Sequence, residues 1–163
     1  KRSWGLPHRV ARLNARWNEP AGGPSEDERF ERASALCGRE FAEMLEYIVE
    51  CELPARNVVE HALLQRHSVH EGGEVVVFTS GGCPWKTHLY ELERTHGVSP
   101  LVKFVLYEDS AKMWRVQAVT AEGTAFTNRL GLLEQWRGLR DAELSSLVGI
   151  EGCKFVHASG FIG

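Results

Sequence analysis

The chain has 163 residues, 43% hydrophobic and 25% charged, with a formal net charge of −3. That length suits one domain or one compact lobe of a larger enzyme, the ordinary composition excludes a disordered chain, and the net charge excludes a whole-surface electrostatic grip on nucleic acid. No apolar run nears the roughly 20 residues that span a bilayer. Cys37, Cys51, Cys83 and Cys153 lack the spacing of a zinc or redox motif, so they read as reduced thiols, mostly buried, in an intracellular protein.

Val10, Leu13 and Trp17 fall at helical spacing among Arg9, Arg12 and Arg16, and the stretch 18–24 is a Pro- and Gly-rich connector. Ser25 and Glu28 form a Ser-x-x-Glu capping box that opens a long helix. Its apolar residues, Phe30, Ala33, Cys37, Phe41, Met44, Ile48 and Cys51, recur in steps of three and four and predict a core-facing stripe. Glu40, Glu43, Glu46 and Glu50 take the other faces as a solvated surface. Leu53-Pro54 marks a break, after which a second helix to about residue 66 is expected to bury Val58, Val59, Ala62 and Leu63. His61, His67 and His70 read as exposed residues, with no carboxylate or thiol nearby to complete a metal shell.

Residues 74–80 carry a continuous apolar run and predict a strand buried on both faces. Gly81-Gly82-Cys83-Pro84 leads into a helix over 85–95 and offers a weak phosphate-cradle signal beside Lys86, without the spacing of a P-loop. Residues 101–108 and 113–120 alternate and flank a turn at 109–112, which predicts an antiparallel hairpin. A short strand at 126–130, a Trp- and Arg-bearing loop at 131–140, a helix capped by Asp141 and a last strand at 154–158 complete the reading. The order predicts an α+β fold: long N-terminal helices, then a mixed, largely antiparallel sheet with flanking helices set on one side.

The chemistry concentrates from residue 126 onward. Arg129, Arg137 and Arg140 form the best candidate for a local basic patch, and His157, Ser159 and Gly160 lie in a turn that offers an imidazole, a hydroxyl and free amides to an anion. The same glycines serve equally as plain turn residues. Trp136 suits either stacking on a base or anchoring a loop in the core.

Several stretches together resemble the C-terminal half of the melanocyte-proliferating-gene-product family, relatives of the DHH phosphoesterases. They are Arg9-Val10-Ala11-Arg12-Leu13-Asn14 with Trp17-Asn18, Leu53-Pro54-Ala55-Arg56, and Gly82-Cys83-Pro84-Trp85-Lys86 with His88-Leu89-Tyr90. Two more are Trp136-Arg137-Gly138-Leu139-Arg140-Asp141 and Phe155-Val156-His157-Ala158-Ser159-Gly160-Phe161-Ile162-Gly163. The resemblance implies a two-domain, metal-dependent 3′→5′ exonuclease acting on single-stranded RNA in mitochondrion and nucleus. It implies that residues 1–24 are a linker and short helix from a preceding domain, and that 25–163 are the substrate-binding lobe, cut at its C-terminal end. The Asp and His ligands for manganese would belong to the missing N-terminal domain, the lobe's natural partner, and no Asp-His-His occurs in this chain. This chain alone is therefore expected not to hydrolyse phosphodiesters, and no cofactor or membrane is expected of it.

By the same resemblance, Arg129, Arg137 and Arg140 would pair with phosphates, while His157, Ser159 and Gly160 would hold the phosphate next to the scissile bond. His-Ala-Ser-Gly stands where related phosphoesterases carry Gly-Gly-Gly-His. Two other readings remain open: a non-catalytic interaction domain that presents the Arg-Gly-Leu-Arg loop and an acidic helix to protein partners, and a nucleotide-binding lobe built on Gly81-Gly82.

Overall fold

The computed structural model describes residues 5–163, so residues 1–4 of the expected 1–24 connector lie outside the described residues. The chain divides into two compact units, residues 1–51 and 52–163.

The first unit is helical. Helix α1 spans Leu6–Ala11, shorter than the 8–17 periodicity suggests, and helix α2 spans Glu26–Tyr47. The capping box forms as expected: the Glu28 N–H donates to Ser25 Oγ at 3.2 Å, and the Ser25 N–H donates to Glu28 Oε2 at 2.7 Å. Arg29 ties the connector to this helix, donating to the Leu13 carbonyl and pairing with Glu19. No residue of α1 or α2 is buried. The stripe expected to face a core instead stands open, with Phe30 and Phe41 each 71% exposed and Met44 59% exposed. The 3.6-residue pattern is real, but this unit supplies no second layer for the stripe to bury against.

A π-helical turn, Ile48–Glu52, follows α2, so Leu53-Pro54 is not a loop break. Pro54 occupies the first turn of α3, Leu53–Leu64, where its missing N–H leaves no bond unmade. In the second unit α3 and the short α4, Arg66–Val69, precede strand β1, Val75–Phe78. Helix α5, Lys86–Thr95, then leads to β2, Phe104–Glu108, and β3, Trp114–Ala118. The three strands form one mixed sheet in the order β1-β2-β3, parallel between β1 and β2 and antiparallel between β2 and β3.

Helices cover both faces of this sheet, not one. On one face Val59 and Leu63 of α3 and Leu89 and Leu92 of α5 pack against Val76, Phe78 and Val105. On the other, Leu132, Val156 and Leu144 of helix α6 (Asp141–Val148) pack with Phe104, Val116 and Trp136. Strand β1 accordingly alternates, with Val76 and Phe78 buried and Val75 and Val77 half-buried, where burial on both faces was expected. The cysteines are also less buried than expected: Cys37 is exposed and the other three are half-buried, all as free thiols.

Neither of the two outer strands expected from the sequence forms a regular ladder. Residues 126–130 make one bridge, Asn128 to Thr120, and residues 154–158 make one, Phe155 to Arg140. The C-terminal segment is nonetheless pinned on both sides. Gly163 exchanges two 3.0 Å backbone bonds with Val116 of β3, and the Gly138 and Leu132 N–H groups donate to the Val156 and Gly160 carbonyls.

Candidate nucleic-acid interface

Arg137 is the basic residue that this arrangement sets beside the C-terminal turn. It follows a 3₁₀ turn, Glu134–Trp136, and its Nε donates to the Leu132 carbonyl at 2.9 Å. The guanidinium lies against two glycines. A Cβ on Gly131 would sit 2.9 Å from Arg137 Nη2, and one on Gly160 would overlap Nε and lie 3.0 Å from Cζ. Gly160 also has φ +69°, a left-handed conformation that glycine adopts without penalty. A Cβ at either position would displace the Arg137 side chain, and at Gly160 it would also strain the backbone. Among the described residues the acid paired with the guanidinium is Glu134, 3.8 Å away and 90% exposed, a pair that solvent screens almost fully.

The turn from His157 to Gly160 adjoins this guanidinium through Gly160. Its shape is fixed by the Gly160 N–H donating to the His157 carbonyl and by the His157 N–H donating to the Ile162 carbonyl. The Ser159 N–H donates to His157 Nδ1 at 3.1 Å, and Ser159 Oγ lies 2.9 Å from the same nitrogen. Because Nδ1 accepts, the proton of the neutral ring rests on Nε2, which points away from these bonds as a free donor. The Phe161 ring meets the imidazole edge-on at 4.8 Å between centroids and holds its plane. Two of the amides expected to be free, those of Ser159 and Gly160, are thus engaged within the turn. The imidazole and the serine hydroxyl remain at the surface.

The other expected residues divide. Arg140 stands with Arg115 over the Phe155 ring, at 5.7 and 5.3 Å from its centroid. It carries no acid partner among the described residues, whereas Arg115 is paired with Asp109 at 2.6 Å. Trp136 is half-buried beside the second core, with its Nε1 enclosed and unpartnered. Arg129 lies elsewhere, on the first-core side. Its two terminal nitrogens each donate to a Glu93 oxygen at 2.7 Å, and Nη1 also donates to the Val102 carbonyl at 2.8 Å. Tyr90 covers the guanidinium at 5.3 Å.

Glu93 is the residue that sequence reasoning missed. It is 3% exposed, and it also accepts the Val102 N–H at 2.8 Å. Its place in the inner stripe of α5, one residue after Leu92, was the available signal. Likewise Asp141 does not cap α6. Arg140 occupies the N-cap with no side-chain bond, and Asp141 is the first helical residue with φ +44°. The Gly81-Gly82 turn has no open cradle either, since the Gly81 N–H donates to the Phe78 carbonyl and the Gly82 N–H to that of Glu108.

Behind the C-terminal segment a cavity of about 540 Å³ opens between β3 and α6, with Val116, Trp136, Leu144 and Phe155 in its walls. No three His, Cys, Asp or Glu side chains come together as metal ligands among the described residues. No described helix is long and apolar enough to cross a membrane.

The profile of a family named for MYG1 exonuclease, described as "Uncharacterised protein family (UPF0160)", matches residues 1–163. MYG1 exonuclease of Bos taurus is 50% identical over 160 residues, covering 97% of this chain and 41% of the relative. The Homo sapiens MYG1 exonuclease is also 50% identical, over 97% of this chain and 42% of its own length. The MYG1 protein of Dictyostelium discoideum is 46% identical, over 95% and 47%. The chain thus spans less than half the length of these curated relatives. No solved structure matches it significantly.

Proposed function

The chain belongs to the MYG1 exonuclease family, and on that premise we propose that it is the substrate-binding lobe of a metal-dependent 3′→5′ exonuclease acting on single-stranded RNA. The observation that carries this reading is the contact of Arg137 with Gly160, which brings a fixed guanidinium beside the His157 turn. With Nε engaged on Leu132, the terminal nitrogens of Arg137 are the edge that meets a phosphate, and such forked contacts are the strong ones. Glu134 yields to that phosphate readily because its own pairing is solvent-screened. His157 Nε2 adds a neutral donor, the Ser159 hydroxyl being turned to His157 Nδ1, and Arg140 supplies a second cation further along the chain. Arg129 acts indirectly, holding the frame through Glu93.

Manganese would supply water activation in the longer proteins. The described residues of this chain offer no ligand cluster for it, so the lobe's part is to bind and orient. The DHH-type second lobe and the mitochondrial and nuclear setting belong to the same proposal and rest on the sequence resemblance.

Affinity for single-stranded RNA, measured across a salt series, tests this. Arg137→Gln is expected to weaken binding and to flatten the slope of log affinity against log salt by about 0.7, the value of one lost phosphate contact. An unchanged affinity and slope would refute the interface. Digestion of the same RNA with manganese is expected from the full-length human relative and not from this chain; digestion by this chain would overturn the assignment of chemistry to the missing half.

A further inference from the structure

The Arg-rich stretch 9–18 takes no part in the site around Arg137. Within the first unit it forms one side of a groove of about 410 Å³, with Arg12, Arg16, Arg29 and Arg32 in its walls against one acid, Glu19. That acid is already engaged. Arg29 pairs with it, the Arg16 N–H donates to it at 3.1 Å, and Arg29 above all holds its carboxyl below the ordinary range. Arg29 is itself fixed, its Nε donating to the Pro24 carbonyl and its Nη1 to the Leu13 carbonyl, both at 3.1 Å. The Arg29–Glu19 pair thus ties the loop 13–24 onto α2 and shapes the groove. Arg16 and Arg32 are not spent in this way. Both line the groove and are exposed, and among the described residues neither side chain donates a hydrogen bond; each feels only a longer-range attraction, to Glu19 and to Glu28. Trp17 stands in the chain between Arg16 and Asn18, which both line the groove, and it is 98% exposed.

We propose that this groove binds a nucleotide unit of a single-stranded nucleic acid, with a phosphate on Arg16 and Arg32 and a base stacked on Trp17. A guanidinium offers the planar fork that matches phosphate oxygens. A cationic groove beside an open aromatic face is the pairing by which proteins hold single strands without reading their sequence, because every base presents a π-face. The two features together name the occupant. An acidic protein segment would satisfy the arginines but leave the tryptophan unused, whereas a nucleotide uses both. The chain as a whole carries a net charge of −3, so the attraction is confined to the groove. This site is separate from the one at Arg137 and stands without it.

Fluorescence anisotropy of a labelled oligoadenylate across a salt series tests this, in an Arg137→Gln background that removes the contact proposed above. Arg16→Gln/Arg32→Gln is expected to flatten the slope of log affinity against log salt by about 1.4, the value of two lost phosphate contacts. Trp17→Ala is expected to weaken binding about fivefold or more. All three side chains are exposed, so the variants keep their fold, checked by an unchanged circular dichroism spectrum. An unchanged affinity and slope in the arginine variant would overturn the proposal, as would an unchanged affinity in Trp17→Ala. So would polyglutamate that displaces the RNA as well as unlabelled oligoadenylate does, which would assign the groove to acidic protein segments. Arg137→Gln alone reads the other contact, so either site can fail while the other holds.

Discussion

Removing Arg129 tests whether its role is structural. Arg129→Ala strips the forked partner from a carboxylate that is 3% exposed, leaving Glu93 one backbone bond from Val102 and leaving the Val102 carbonyl without its donor. Breaking a buried pair by deleting one partner costs about 3–5 kcal/mol, because the remaining charge is left uncompensated. With a urea slope of about 2 kcal/mol/M for a unit of this size, the unfolding midpoint falls by about 1.5–2.5 M. Glu93→Gln removes the charge but keeps an acceptor for the Val102 N–H. In that background Arg129→Ala is expected to cost about half as much, and the difference is the coupling between the two side chains. The assay is urea unfolding followed by tryptophan fluorescence, with RNA affinity measured on the folded variants. A midpoint within about 0.5 M of the parent, together with a salt slope reduced as for a lost phosphate contact, would refute the reasoning and return Arg129 to the RNA interface.

Gly160→Ala should lower stability by about 1–3 kcal/mol through its left-handed φ and its overlap with Arg137, and should weaken RNA binding as Arg137→Gln does. Gly138→Ala is the control: φ there is +82° but a Cβ meets nothing within 4 Å, so stability falls through φ alone, by about 1 kcal/mol. Equal effects of the two substitutions on RNA affinity would show that the Gly160–Arg137 contact is immaterial. Asp109 is held below the ordinary carboxylate range, first by the Met113 N–H, with Arg115 and the Ala111 N–H adding to it. The lowered folded-state pKa means that its contribution is present above the unfolded pKa and is lost as pH falls through the folded value. An NMR titration of the Asp109 carboxyl should show a depressed midpoint, with the hairpin amides shifting in step; a midpoint in the ordinary range would remove this stabilisation.

Features that depend on near neighbours in the chain were legible in the sequence. The Ser25–Glu28 box, the β2–β3 hairpin around Asp109 and the buried faces of α3 and α5 all follow from spacings of two to four residues. Features that depend on distant partners were not. The partner of Arg129 is Glu93, 36 residues away, so three arginines close in sequence gave no sign that one is enclosed and one is wedged between glycines. The α2 stripe shows the limit of periodicity: it reports that a helix is two-faced, not that the chain folds a second layer onto it. The last strand failed for a local reason. Its partner stretch, 138–140, lies between the 3₁₀ turn and the start of α6, which leaves room for one bridge, Phe155 to Arg140.

The wedging of Arg137 also bears on how tightly an anion can be held. A surface arginine samples many rotamers, and immobilising such a side chain on a ligand typically costs about 0.5–1.5 kcal/mol of entropy. Here the Leu132 carbonyl and the bare backbones of Gly131 and Gly160 restrict the side chain as the chain folds. Little of that loss would be left for the moment of binding at the proposed site, so more of the attraction between guanidinium and phosphate would appear as affinity. There the two glycines would act on the ligand without touching it, by deciding when disorder is given up.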